Sequence, residues 1–315
     1  MDATRLLTWF DTCARDLPWR HPDTTAWGVL VSEVMLQQTP VARVAPVWSD
    51  WMARWPRPSA LAAAPQGTVL RAWGKLGYPR RALRIHAAAT VIAADHGDVV
   101  PSGVDTLLAL PGIGTYTARA VAAFGYGARV AVVDTNVRRV VSRAVRGVAD
   151  AGPPSTARDL SAVDALLPEH DAARFSAALM ELGAVLCIAG SPRCTDCPLA
   201  GGCAWHHAGY PPTAEPARPA QRFTGTDRQV RGRLLDVLRE APSPVEPPQL
   251  DVVWSDEVQR NRCLDSLLVD GLIQRCADGR FALPGEASTQ PGEASTRPGE
   301  AFTLPGEASP VPGQA

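Results

Sequence analysis

The sequence predicts a mostly α-helical protein with a large helical unit, a small second unit and a disordered tail. Three observations carry this. Over residues 1–205 apolar residues recur at three- and four-residue spacing, the period of helices with one buried face, and no series of alternating strands interrupts them. Residues 206–226 are rich in proline and small polar residues and read as a linker to the unit at 227–283. From 284 to 315 a seven-residue repeat, "LPGEAST QPGEAST RPGEAFT", has almost nothing to bury and predicts disorder. A length of 315 residues with 46% hydrophobic content fits about two domains with packed cores.

The helical segments follow one another as "WGVLVSEVMLQQ", "LRAWGKLGY", "RALRIHAAATVIAADHG", "VDTLLAL", "YTARAVAAFG", "VRRVVSRAVRG" and "RFSAALMELGAVLC". Pro40, Pro56, Gly77, Pro101 and Gly147 punctuate them. In the second unit, "DRQVRGRLLDVLREA" and "EVQRNRCLDSLLVDGLI" predict two amphipathic helices, and "QRCADGRFALP" a hairpin turning at Asp278–Gly279. Helices followed by a hairpin suggest a winged-helix-like module.

The net charge is −1, with 20 basic and 17 acidic side chains up to residue 210 and the reverse imbalance beyond it. Lys75 is the sole lysine. Arginine suits phosphate binding, but an arginine-rich coding bias explains this composition equally well. The start of the chain lacks a signal-peptide pattern, and no stretch approaches the roughly 20 apolar residues of a membrane span. These features predict a cytoplasmic protein that does not enter membranes. In that compartment clustered thiols point to a metal site rather than to disulfides.

Such a cluster is present: Cys187-x6-Cys194-x2-Cys197-x5-Cys203. Four thiolates at this spacing can close around a tetrahedral zinc ion or a [4Fe–4S] cluster. Cys13, Cys263 and Cys276 stand alone and read as ordinary thiols. The x6–x2–x5 spacing resembles the iron–sulfur loop of the endonuclease III superfamily of DNA glycosylases. That resemblance implies a [4Fe–4S] cofactor on these four cysteines, with a structural role beside DNA phosphates.

"LPGIGTYTARAV", Leu110–Val121, sets Pro111, Gly112, Ile113 and Gly114 in a tight turn between two helices. Free N–H groups at the start of the second helix can hold a phosphate; a plain helix–helix turn reads the same way. The stretch resembles the helix-hairpin-helix of that superfamily, which grips the DNA backbone without reading sequence. Where some members carry a lysine that attacks the sugar, this chain has Tyr116. The resemblance therefore implies a monofunctional glycosylase.

Asp134, in "VAVVDTNVRRV", sits where an apolar run meets a new helix and reads as an N-cap. The resemblance puts the catalytic aspartate there, where an ionised carboxylate would stabilise a sugar cation. Glu33 lies in "WGVLVSEVMLQQTP", sharing a helix face with Val29 and Gln37. Such a residue is either a solvated glutamate or a buried acid kept protonated by its apolar neighbours. "SEVMLQQT" closely resembles the signature of adenine DNA glycosylases of the MutY type, in which this acid protonates adenine N7. The same resemblance implies that Trp19 and Arg20 of "LPWR" and Glu181 of "ALMELGAVLC" line the adenine pocket. It also implies that Gln38 wedges into the duplex and that Asn136 assists Asp134.

Two departures stand out. The family usually shows "GYY" where this chain has "LGYPRRALRIH", and Pro79 takes the place of the second tyrosine, the one expected to wedge beside the damaged base. The family usually ends in a Nudix-like domain that checks for 8-oxoguanine, whereas residues 227–283 are too short for one and are expected to be winged-helix-like. The expected whole is a two-lobed helix-hairpin-helix glycosylase with an iron–sulfur loop at 187–203, acting as a monomer. Its expected substrate is duplex DNA containing adenine opposite 8-oxoguanine or guanine. A mismatch thymine glycosylase of the same superfamily and a non-catalytic iron–sulfur DNA-binding regulator are the alternatives.

Overall fold

The computed structural model describes residues 1–212 and 223–286. Residues 213–222 of the expected linker and 287–315 of the repeat tail lie outside the described residues. Caps and breakers in the sequence set the helix boundaries. Asp2 caps α1 (Ala3–Cys13) by accepting from the Arg5 amide. Thr25 caps α2 (Ala26–Leu36) by accepting from Gly28, and Pro40 precedes α3 (Val41–Arg54). Short α4 (Pro58–Ala62) and α5 (Gln66–Trp73) lead to α6 (Arg80–Asp95) and α7 (Val104–Leu108). The turn 109–114 then opens α8 (Thr115–Tyr126), which stops at left-handed Gly127. Asp134 caps α9 (Thr135–Ala144), followed by α10 (Thr156–Asp164), α11 (Ala172–Val185) and α12 (Ala204–His207).

Two hydrophobic clusters divide these helices into two lobes. The first lobe, α2 to α8, packs around Leu30, Met35, Leu70, Ile85 and three tryptophans, Trp51, Trp55 and Trp73, in edge-on contact. The second is discontinuous in sequence. α1 returns to pack on α11, and Leu6, Val140, Phe175 and Leu179 form its centre. α2 and α8 face each other in the first lobe, and α9 and α11 in the second.

The remaining chain folds as α13 (Asp227–Glu240), α14 (Pro247–Asp251), α15 (Glu257–Val269) and a hairpin of β1 (Gln274–Arg275) with β2 (Phe281–Ala282). The hairpin turns through Cys276–Arg280 with Gly279 at positive φ, as the Asp-Gly pair predicts. Val245 and Phe281 exchange two backbone bonds, giving the helix, bridge, two helices and hairpin order of a winged helix. Its apolar face is continuous with the first lobe: Val230, Leu234, Leu235 and Leu238 of α13 belong to the same core as Leu70. The start of the repeat tail joins in. The Gly67 amide donates to the Pro284 carbonyl, and Arg71 forms a two-pronged pair with Glu286. Among the described residues no helix is long and apolar enough to cross a membrane.

Candidate active site

Glu33 sits in the last two turns of α2, a helix buried on nearly every side by Val29, Leu30, Val31, Val34 and Met35. Its side chain is 5% exposed. Burial pushes its carboxyl up to about 7, against the hydrogen bond from Tyr116; the nearby Asp134 charge pushes it further and Arg20 opposes. Tyr116, in the first turn of α8, donates that bond, and burial beside Glu33 and Asp134 keeps it a neutral phenol. Asp134 reaches the same place from the other lobe. One of its oxygens accepts from the Val137 amide at 2.7 Å and the other from Asn136 Nδ2 at 2.8 Å. Burial raises this carboxyl, while these donors and Arg139 favour its ionised form. An acid raised to about 7 and a carboxylate held by donors, contributed by different lobes, are thus close enough to feel each other's charge.

Glu181 of α11 is fully inaccessible. Burial would raise its carboxyl, but Arg15 and Arg20 together hold it below the usual range. Arg15 donates from its backbone, Nε at 2.6 Å and a terminal nitrogen at 2.9 Å, and Arg20 adds another bond at 2.9 Å. Arg20 therefore links Glu181 to the field around Glu33. Trp19 is packed edge-on against Trp48, 6.0 Å between centroids, and stiffens the turn that presents Arg20.

The exposed rim is built on a buried cation. Arg81 donates to the carbonyls of Val34, Met35, Gln37, Leu76 and Gly77 and to the Thr39 hydroxyl, all within 3.3 Å. Burial lowers its guanidinium to about 10. It terminates α2 and ties two loops together. Each loop presents one exposed residue in the left-handed region: Gln38 at φ 56° and Tyr78 at φ 46°. Non-glycine residues rarely adopt this conformation unless their surroundings impose it. Gln37 turns inward to Thr117 at 3.4 Å. Pro79 only opens α6, so the aromatic ring offered at this rim is that of Tyr78.

In the hairpin, Gly112 has φ +73°, and a Cβ there would lie 2.7 Å from the Arg84 Cβ. Ile113 is buried and its amide is used by the Leu110 carbonyl, so it anchors the turn. Gly114 begins α8 without a side-chain cap, leaving the first amides of that helix directed outward.

Cys187, Cys194, Cys197 and Cys203 line one small cavity with Arg143, Trp205 and His206. None of them is in a disulfide. Among the described residues no three His, Cys, Asp or Glu side chains approach closely enough to hold a single metal ion. Four thiols lining one cavity are a donor set that either a tetrahedral zinc ion or a [4Fe–4S] cluster would take. His206 Nδ1, also lining the cavity, is buried without a protein partner. Arg143 fixes the loop through the Ile188 and Ala189 carbonyls and the Cys187 sulfur. Arg139 bonds the Cys187 carbonyl at 2.6 Å and Asn136 Oδ1 at 2.7 Å, so a continuous chain of bonds runs from the first cysteine to Asp134.

Sequence reasoning missed Arg15, Arg81, Arg139 and Arg143, each of which holds a residue it did identify. Surface arginines look the same in sequence; Arg139, within "DTNVRRV", and Arg81, within "LGYPRRALRIH", lay in singled-out stretches without being singled out themselves.

A model of the HhH-GPD superfamily of base excision DNA repair proteins matches residues 31–163. The chain is 63% identical over 285 residues to the adenine DNA glycosylase of Mycobacterium tuberculosis, covering 90% of this chain and 93% of that one. It is 64% identical over 291 residues to that of Mycolicibacterium smegmatis, covering 92% and 98%. The human adenine DNA glycosylase is 40% identical over 209 residues, covering 63% of this chain and 38% of its own length. Among solved structures, a thermostable thymine-DNA glycosylase superimposes with a TM-score of 0.60 at 26% identity, over 65% of this chain and 95% of its own. Endonuclease III trapped on DNA superimposes at 0.56 with 22% identity, covering 66% and 94%. With the two-lobed fold, the hairpin and the paired carboxylates in place, the chain belongs to the adenine DNA glycosylases of the HhH-GPD base excision repair superfamily.

Proposed function

We propose that this glycosylase hydrolyses the N-glycosidic bond of adenine lying opposite 8-oxoguanine or guanine, and stops at the abasic site. The observation that carries the reading is the proximity of buried Glu33, raised to about 7, to donor-held Asp134, with a tyrosine rather than an amine bonded to Glu33 beside them. Adenine flipped from the duplex receives the Glu33 proton at N7. The bond from C1′ to N9 breaks with its electron pair moving to the base. Asp134 stabilises the resulting sugar cation, and water adds to C1′, its proton returning to the Glu33 carboxylate. Tyr116 has no amine to form a Schiff base, so the strand is not cut. Glu181, fully buried with both oxygens taken by Arg15 and Arg20, does not touch the base; it fixes Arg20 beside the pocket.

Around this centre, the free amides of α8 beyond Gly112–Gly114 take a backbone phosphate. Gln38 and Tyr78, held in strained conformations by Arg81, take the gap in the stack and the neighbouring partner base. Cys187, Cys194, Cys197 and Cys203 would hold a [4Fe–4S] cluster, which cross-links their loop. Base release is left to Glu33 and Asp134.

The experiment is single-turnover base release from duplexes carrying A opposite 8-oxoguanine, A opposite G, T opposite G and matched A·T, with iron, sulfide and zinc measured on the same preparation. Adenine release from the two mispairs alone is expected, lowered about 10²–10⁴-fold in Glu33→Gln. Iron and sulfide in near-equal amounts, with visible absorbance, are expected for the metal. Thymine release would move the assignment to a mismatch thymine glycosylase. Zinc in place of iron would overturn the cluster.

A further inference from the structure

The loop between α5 and α6 is bracketed by the C-terminal module. Lys75 Nζ lies 3.9 Å from Asp236 of α13. Arg80 pairs at 3.2 Å with Asp270, which also pairs with Arg231 of α13 at 2.5 Å. Between these two ties, Arg228 in the first turn of α13 places its guanidinium 4.5 Å from the centroid of the Tyr78 ring and 5.8 Å from that of Phe223. The Arg81 guanidinium lies 5.6 Å from the same Tyr78 ring. Tyr78 is thus set by two cations, one buried in the first lobe and one supplied by the module. Tyr78 and Phe223 are 40% and 53% exposed, and among the described residues no carboxylate pairs with Arg228. An exposed arginine between two exposed aromatic rings is the surface chemistry that stacks on bases. Nothing in the packing of α13 requires it, since the buried face of that helix is Val230, Leu234, Leu235 and Leu238.

We propose that Arg228 is a specificity-determining positioning residue: through it the C-terminal module sets the Tyr78 ring against the base opposite the adenine, so that the module contributes to partner-base discrimination. The inference rests on Tyr78 standing at the mispair, as read above. Without Arg228 the ring keeps only the Arg81 contact and the backbone strain at its own φ, and it samples orientations that distinguish 8-oxoguanine from guanine less well.

The test measures single-turnover adenine release from A·8-oxoguanine and A·G duplexes for the full-length protein, Arg228→Ala, Arg228→Lys, Tyr78→Leu and the double variant Arg228→Ala/Tyr78→Leu. Melting temperatures are taken in parallel. Arg228→Ala is expected to reduce the A·8-oxoguanine to A·G rate ratio about two- to fivefold, the factor a cation–π contact at an exposed site supports. Arg228→Lys, which keeps the cation, should recover part of the ratio. The double variant should match Tyr78→Leu alone, since Arg228 acts through that ring. A changed ratio in Tyr78→Leu with an unchanged one in Arg228→Ala overturns the role of Arg228 and leaves the reading of the site intact. An unchanged ratio in both removes Tyr78 from the mispair and the proposal with it. An equal fall of both rates in Arg228→Ala, with a constant ratio, makes Arg228 a general phosphate contact and also overturns it.

Discussion

Glu33 shows how one residue sets function against stability. Its folded carboxyl titrates near 7, above the ordinary 4.5, because burial disfavours the charge. In the mechanism proposed above the acid form is the proton donor, so adenine release should fall as pH rises through about 7. The same shift acts on folding with a definite sign. Stability linked to Glu33 is fully present below about 4.5, where both states are protonated, and is lost as pH rises through the folded value near 7. Glu33→Gln removes the titration. In chemical denaturation across this range, the variant should gain on the parent between pH 4.5 and 7 and level off above, by on the order of 3 kcal/mol. A constant difference across the range would mean that Glu33 ionises normally in the folded protein. The sequence supplied the motif around Glu33 and the cap at Asp134. It did not supply Arg15, because the partner of Arg15, Glu181, is 166 residues away and nothing local marks the pair. Nor did it reveal Tyr78 as the ring at the rim, because the difference from Pro79 lies in a backbone conformation, φ 46° against the start of a helix.

At the scale of elements, the active site depends on how closely α9 and α11 approach. Gly183 permits that approach: a Cβ there would lie 2.7 Å from the Asn136 Cβ and 3.0 Å from the Asn136 carbonyl oxygen. Its own carbonyl accepts from Arg139 at 2.8 Å, locking the contact. Gly183→Ala must push the first turn of α9 away from α11 and carry the Asp134 cap with it. The cost should be about 1–3 kcal/mol, and base release should drop while binding of uncleavable DNA through the hairpin is kept. Equal loss of binding and release would place the damage elsewhere. Helix periods were readable in the sequence because each helix has one buried face. The Gly183 crossing was not, since close approach of two helices is a property of the pair and a glycine inside "ELGAVLC" reads as a weak spot in one.

For the molecule as a whole, the continuous core between α13 and the first lobe, reinforced by Arg239 to the Leu70 carbonyl at 3.0 Å and by Arg71 with Glu286, joins the C-terminal module to that lobe. The second lobe has a separate core. Amide hydrogen exchange under mildly destabilising conditions should therefore show α5, α6 and α13 opening with one common free energy, distinct from that of α1, α9 and α11. Separate opening of α13 and α5 would make the module an appendage. The partition between the lobes also orders events during synthesis. α2 to α8 form one uninterrupted run, but α13 completes their core, so the first lobe closes fully only once the C-terminal module has left the ribosome. α1, made first, must wait for α11, and the loop closed between Arg15 and Glu181 spans 166 residues. Closing so long a loop is slow. Both lobes thus wait for late segments, α11 for one and α13 for the other, so in the proposed mechanism no base can be cut from DNA until the C-terminal module has been made.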